Sequence, residues 1–256
     1  MITSPWFVRK TVPSRRFRIY CFSYAGGNAS NYSPWQAMLG PDIEVCAVQL
    51  PGRGNRFFET HYDSLSKLIE DLAYVISQDD VLPFAFFGHS LGGLIAFELA
   101  RYLERKKLPP PRHLFVSGSN APQYRSPPEN FHLLPDDALI QTLRNLEGTP
   151  SEILDNESLM ELVLPTIRAD FALAERYHYY HGNPLSVPIT VLVGKLDSHT
   201  SNDQVDGWQK ETSKRVFVRW FEGGHFFINE EKQAVLECVA AQIRDLMISC
   251  RLSAPV

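Results

Sequence analysis

A serine hydroxyl becomes a nucleophile only where a base can take its proton and donors can hold the oxyanion it creates. One stretch of this chain has the form such a serine takes: Gly88-His89-Ser90-Leu91-Gly92, a GxSxG sequence. The pattern alone is weak, because average glycine and serine usage produces it by chance in roughly one chain in ten of this size. Its setting says more. Phe84-Ala85-Phe86-Phe87 before it is a buried-strand run, and Gly93 to Arg105 after it has the spacing of an amphipathic helix. A sharp strand–turn–helix junction holds a serine in a strained, exposed position, and the flanking glycines let neighbouring backbone come close. The free N–H groups and positive end of the helix that starts there face the developing negative charge. Leu91, the residue after the serine, is the expected source of one oxyanion donor.

Such a hydroxyl needs an imidazole to accept its proton and a carboxylate to orient that imidazole. In open α/β sheets both follow the serine, acid before base, at the C-terminal ends of later strands. Lys195-Leu196-Asp197 follows the apolar run Ile189 to Gly194, which points to Asp197 as the acid. Asp203 and Asp206 are rivals further along the same loop, on what reads as a following helix. Arg215 to Phe221 is the last strand-like run, and Glu222-Gly223-Gly224-His225 follows at once. The glycine pair makes a turn able to present His225 to the serine. The remaining histidines fit less well. His89 is inside the turn, His61, His113 and His132 precede the acid, His178 and His181 lie in a strandless region, and His199 is too close to Asp197. A second oxyanion donor is expected from Tyr24-Ala25-Gly26-Gly27-Asn28, after the strand-like run Arg18 to Ser23; an ordinary glycine turn is the alternative. The HGGG sequence of many lipases is absent.

These residues require an ordered scaffold, and the sequence outlines one. Further strand-like runs are Glu44 to Leu50 and His113 to Gly118; several of these runs are continuously apolar, as strands buried on both faces of a parallel sheet are. Helical spacing fills Leu65 to Ile76, Leu91 to Lys107 (stopped by Pro109-Pro110-Pro111) and Glu230 to Met247. Strands alternating with helices predict an α/β fold with a mostly parallel central sheet flanked by helices, and the serine turn with the order Ser, Asp, His makes it of the α/β-hydrolase type. The alternation fails between Ala121 and Val187, where helices are expected at Asp136 to Leu146 and Ser158 to Tyr180. Ser126-Pro127-Pro128 and Pro184 to Pro188 flank that region. The organisation expected is one domain over residues 1–256, with 121–187 inserted between sheet strands as a helical lid. Ser249 to Val256 reads as a loose tail.

Composition excludes several classes. The 256 residues are 44% hydrophobic and 21% charged, with a formal net charge of −4. That suits a packed core and gives no basic face for nucleic acid. The clusters Arg15-Arg16 and Arg105-Lys106-Lys107 read as solvated loops or helix ends. No apolar run reaches the roughly 18 residues that span a bilayer, and the N-terminus lacks the pattern of a signal peptide. A cytoplasmic monomer is expected, with no membrane partner. Cys21, Cys46, Cys238 and Cys250 lack metal-ligand spacing, and Cys21 and Cys46 read as buried, reduced thiols. Neither a metal nor a cofactor is expected.

Over nearly its whole length the chain resembles the type II thioesterases, stand-alone editing hydrolases of polyketide and nonribosomal peptide assembly lines. The resemblance is carried by Phe22-Ser23-Tyr24-Ala25-Gly26-Gly27, by Leu50-Pro51-Gly52-Arg53 and by the GHSLGG turn with Ala96-Phe97-Glu98-Leu99-Ala100. In the strandless region it rests on Leu134-Pro135-Asp136, on Leu164-Pro165-Thr166-Ile167-Arg168-Ala169-Asp170 and on Tyr177-His178-Tyr179-Tyr180. Gly194-Lys195-Leu196-Asp197 and Gly223-Gly224-His225-Phe226-Phe227 complete it. It implies a thioester carried on the phosphopantetheine of an acyl or peptidyl carrier protein, acylation of Ser90, and oxyanion donors at Ala25 and Leu91. Ser23-Tyr24 and Leu91 depart from the family's commoner residues without removing a backbone donor. Arg53, Arg56 and the Arg105 to Lys107 cluster are candidates to meet an acidic carrier, with solvated surface as the plainer reading of each. Other readings are a fatty-acyl carrier-protein hydrolase, a general carboxylesterase, and a carrier-binding module without catalysis.

Overall fold

The structure is a computed structural model, and it describes residues 4–124, 129–146 and 148–252. Seven strands appear in chain order: β1 (Phe7–Val8), β2 (Phe17–Phe22), β3 (Ile43–Val48), β4 (Phe84–His89), β5 (Leu114–Ser117), β6 (Ile189–Gly194) and β7 (Val216–Phe221). The helices are α1 (Gln36–Leu39), α2 (Leu65–Ser77), α3 (Leu91–Arg105), α4 (Asp136–Leu146), α5 (Ser151–Leu154), α6 (Glu157–Glu175), α7 (Asn202–Asp206), α8 (Phe227–Glu230) and α9 (Lys232–Leu252). One sheet holds all seven strands in the order β1-β3-β2-β4-β5-β6-β7. Every pairing is parallel except that of β1 with β3. This is the mostly parallel α/β sheet that the sequence predicts.

The apolar runs make central strands because both faces are covered. β2, β3 and β6 are buried along their whole length. Alternate residues of β2 serve opposite cores, as the two-residue period of a strand requires. Tyr20 and Phe22 join Leu68 and Leu72 of α2 and Ile95 and Leu99 of α3. Ile19 and Cys21 join Trp35, Leu39 of α1, and Val235, Val239 and Ile243 of α9. Cys21 and Cys46 are free and buried, and burial pushes both thiols well up.

The strand order decides where chemistry can occur. The chain runs from β2 outward to β3, then crosses back to place β4 on the other flank of β2. Ligands bind in open α/β sheets at such a switch point, beyond the C-terminal ends of the strands. Phe22 of β2 pairs with Gly88 of β4, and Gly194 of β6 with Phe221 of β7. The four loops that leave these ends therefore open on one edge of the sheet.

Between β5 and β6 the described residues form no extended strand, apart from a single bridge between Leu185 and Thr212. Helices α4, α5 and α6 pack a core of their own, from Leu139 and Leu143 through Leu154 to Met160, Leu164 and Ile167. Ser126-Pro127-Pro128, expected to flank this segment, lies outside the described residues.

The structure corrects several boundaries. Two-residue β1 has too few residues to show a period. Helix α6 stops at Glu175, not Tyr180, because Tyr177 and Tyr179 turn back to the body, where their hydroxyls donate to Glu98 Oε1 and Glu211 Oε1 at 2.6 and 2.7 Å. Helix α9 starts at Lys232 and continues to Leu252, where a loose tail was expected from Ser249; residues 253–256 lie outside the described part.

The basic residues divide. Arg105, Lys106 and Lys107 are exposed. Arg15 is instead half-buried and paired to Glu44 and Asp80, beside an ion-pair network around buried Arg18. Arg56 is not solvated surface: it is buried, with its guanidinium 4.0 Å from the centroid of the Trp6 ring. Arg53 is buried too, against Asp170. Among the described residues no helix is long and apolar enough to cross a membrane.

Candidate active site

Ser90 stands between β4 and α3 with φ 55° and ψ −115°, a conformation costly to any residue with a Cβ. Its neighbours make the turn possible. A Cβ on Gly88 would lie 2.0 Å from the carbonyl oxygen of Gly92, and one on Gly92 would lie 2.1 Å from that of Phe22. The start of α3 is therefore pressed backbone to backbone against the end of β2. That contact sets the loop after β2 against the serine turn, with the Tyr24 ring centroid 5.8 Å from that of His89.

Asp197 and His225 leave β6 and β7 where expected. Asp197 Oδ2 accepts from His225 Nδ1 at 2.8 Å, and Asp197 Oδ1 accepts from the His199 backbone N–H at 3.0 Å. Burial on its own would raise the Asp197 pKa, but the hydrogen bond and charge of His225 outweigh it and hold the carboxyl at about 2. The acid is thus ionised and aimed at one ring nitrogen. Nε2 of His225 has no hydrogen-bond partner among the described residues, which leaves it open to take a proton.

His225 lies beside the serine turn. The His225 ring centroid is 5.0 Å from that of His89, and its Cε1 would be 3.2 Å from a Cβ on Gly118. Gly118 follows Ser117, whose carbonyl oxygen accepts from Ser90 N at 2.8 Å. Ser90 Oγ itself makes no hydrogen bond among the described residues. Catalytic contacts often stay open in a free enzyme and tighten on substrate.

The rival residues fall elsewhere. Asp203 and Asp206 are exposed on α7. His113 is buried against Thr190 Oγ1, where burial lowers its pKa to about 4. His61 meets Thr166 Oγ1, His132 meets Glu175, and His178 meets the Arg176 carbonyl. His181 stacks edge-on with Tyr179. His199 serves through its backbone, although its ring is 5.8 Å from that of His225. His89 is fully buried, bonded through Nδ1 to Ser117 Oγ, and burial holds its pKa well down, so it stays neutral behind the base.

Two candidate oxyanion donors have N–H groups without an acceptor among the described residues. Leu91 is the first residue of α3, so its N–H has no acceptor within the helix. Ala25 N–H has none among the described residues, whereas its neighbours are occupied. Gly26 N donates to Asp170 Oδ2 at 2.8 Å and Gly27 N to the Tyr24 carbonyl at 2.9 Å. The insertion covers this edge at two places. A Cβ on Gly26 would lie 2.7 Å from Ile167 Cγ1 of α6, and one on Gly148 would lie 2.3 Å from Cζ of Phe226, beside His225.

Arg53, a candidate in the sequence for meeting an acidic carrier, is instead buried against Asp170, and together they join the insertion to the loop carrying Ala25; nothing in the sequence alone assigns Asp170 a role. A carboxylate placed on the same face of a helix as Ile167 was the available signal, since a buried acid needs a buried partner.

Comparison with known proteins gives a consistent answer. The family model for the thioesterase domain matches residues 17–244. The gramicidin S biosynthesis protein GrsT of Aneurinibacillus migulanus is 41% identical over 240 residues, covering 93% of this chain and 94% of that protein. The solved structure of BorB, a type II thioesterase from the borrelidin biosynthetic cluster, superposes with a TM-score of 0.87 at 33% identity, over 94% of this chain and 98% of that one. ClbQ from the colibactin NRPS/PKS pathway superposes with a TM-score of 0.86 at 30% identity, over 91% and 99%.

Proposed function

The chain belongs to the thioesterase family of hydrolases, and we propose that it is a type II editing enzyme that removes acyl, aminoacyl or peptidyl groups from the phosphopantetheine of carrier proteins in nonribosomal peptide and polyketide synthesis. The observation that carries the chemistry is the buried Asp197 bonded to His225, next to a serine in a strained turn. The likeness to BorB, a type II thioesterase from a biosynthetic cluster, and to ClbQ, from an NRPS/PKS pathway, supports the substrate class.

In this reading His225 takes the Ser90 proton as Oγ attacks the thioester carbonyl, and the carbonyl electron pair moves onto oxygen. Ala25 and Leu91 N–H groups hold that oxyanion. Its collapse breaks the C–S bond, and the departing thiolate takes the proton from His225. Water then attacks the acyl-enzyme, giving a proton to His225 that passes to Ser90 Oγ as the acid leaves. A thiol is already a good leaving group, so the hole and the nucleophile matter more than acid assistance. Helices α4 to α6 act as the lid, screening the acyl-enzyme from bulk water and admitting the arm. The packing of Ile167 on the Ala25 loop and of Gly148 on Phe226 supports that role.

Acyl-enzyme formation gives a direct test. After brief reaction with an acyl-pantetheine thioester and an acid quench, peptide mass analysis should place the acyl mass on the peptide containing Ser90. The Ser90→Ala variant should carry none. An acyl group found on another residue, or hydrolysis with no adduct and no loss in the variant, would overturn the mechanism.

A further inference from the structure

Ala25 N–H can hold an oxyanion only if its peptide is fixed, and glycine follows it twice. Gly26 has φ 76°, a conformation that glycine enters and leaves at little cost. The loop therefore needs an outside anchor. That anchor comes from the insertion and from the loop after β3. Asp170 of α6 accepts the Gly26 N–H at 2.8 Å. Arg53 grips the same carboxylate with two nitrogens, at 2.6 and 2.7 Å, and donates to the Gly27 carbonyl at 3.0 Å. Both side chains are nearly inaccessible, with relative exposures of 8% and 2%.

The surrounding bonds stiffen the same unit. Arg53 Nε donates to the Pro51 carbonyl, and Gln49 Nε2 donates to the Arg53 carbonyl while Gln49 Oε1 accepts from Ala29 N at the far end of the loop. On α6, Thr166 Oγ1 donates to the Gly52 carbonyl at 2.8 Å, one turn before Asp170. A bidentate guanidinium–carboxylate contact is directional as well as strong, which suits it to fixing a peptide plane.

We infer that Asp170 and Arg53 are positioning residues for the thioesterase reaction: they hold the Ala25 peptide in place, so that the oxyanion hole is complete only while α6 is seated. This rests on the proposed role of Ala25. The pair touches neither the nucleophile nor the base. It acts by clamping the Gly26 N–H and the Gly27 carbonyl, which follow the donor in the chain, and a displaced α6 would withdraw Asp170 from Gly26 in the same movement.

The test separates positioning from plain stability. Asp170→Asn leaves the buried Arg53 cation without its counter-charge and is expected to lower the melting temperature. The paired variant Arg53→Met with Asp170→Leu removes both charges and, because apolar replacement of a buried ion pair is commonly tolerated, keeps the fold. In both, kcat on a small acyl thioester should fall about 10²-fold, the size seen when one oxyanion donor is lost. KM should change little. A trifluoromethyl ketone, which Ser90 Oγ attacks to form a hemiketal oxyanion in the hole, should lose affinity by the same factor as kcat. Asp170→Glu, which keeps the charge, should recover part of both losses. Arg144→Ala, which removes an exposed pair with Asp155 in the same insertion, should leave both readouts unchanged.

A paired variant that is folded and has wild-type kcat and ketone affinity would overturn the inference. So would losses that follow only the unfolded fraction. If the wild-type enzyme proved inert towards thioesters the proposed function would fall, yet the ketone comparison would still judge the pair, with Ser90→Ala as its blank.

Discussion

Ser90→Ala lowers kcat on an acyl thioester by about 10⁶-fold, the loss found when the nucleophile is removed from a Ser-His-Asp hydrolase. The substitution leaves the fold intact. Alanine keeps the Cβ and hence the strain at φ 55°, so its melting temperature should match wild type. Ser90→Gly should be equally inactive but more stable. It relieves strain of about 1–3 kcal/mol and forfeits only about 0.5–1 kcal/mol to the freer unfolded chain. Scanning calorimetry of the three proteins checks this. A glycine variant less stable than the alanine variant would mean that the turn is not strained as described.

Asp197→Asn should lower kcat about 10⁴-fold, as tautomer reversal does in related triads. The carboxylate accepts from Nδ1, which leaves Nε2 unprotonated and able to act as a base. An asparagine amide can donate to Nδ1 instead, moving the ring proton to Nε2, where it faces the serine and blocks proton uptake. The same substitution changes acid stability. In the folded state the carboxyl titrates at about 2, below its ordinary 3.8, so its ionised form stabilises the fold above about pH 4. That stabilisation disappears as pH falls from there towards 2, and amounts to about 2 kcal/mol at 1.36 kcal/mol per unit. Melting temperatures measured between pH 5 and 2 should fall more steeply for wild type than for Asp197→Asn. Parallel curves would contradict the assigned environment.

How much of this could be read in the chain follows from how local each signal is. The strand β4, the serine turn and α3 are contiguous, so Phe84 to Arg105 carries both the element order and the candidate nucleophile. Asp197 and His225 were legible because each directly follows an apolar run that makes a buried strand. Strand β1 was not, since Phe7–Val8 pairs through β3 and has no period of its own. The end of α6 was overrun because Tyr177 and Tyr179 fit helical spacing, while their hydroxyls are satisfied only by Glu98 and Glu211 in the folded body.

The Arg53–Asp170 pair shows the limit most clearly. Its members are separated by 117 positions, and each alone looks like an ordinary surface charge. Only the folded chain brings α6 against both the Pro51–Gly54 loop and the Ala25 loop. What the sequence held was the oddity of an acid beside Ile167 on an inward helix face, a hint about burial and not about partner. The fold and the candidate triad are thus local information placed by topology, whereas the Arg53–Asp170 support of the Ala25 loop is a tertiary contact.

Carrier proteins are the proposed bearers of the acyl groups on which this enzyme acts. The most direct test of that proposal compares kcat/KM for an acyl-phosphopantetheinyl carrier protein with that for the matching acyl-pantetheine thioester, with Ser90→Ala as the blank. The account predicts faster turnover of the carrier-bound group, abolished by the substitution. Equal or slower turnover on the carrier would contradict it and indicate a general esterase that shares the fold and the insertion.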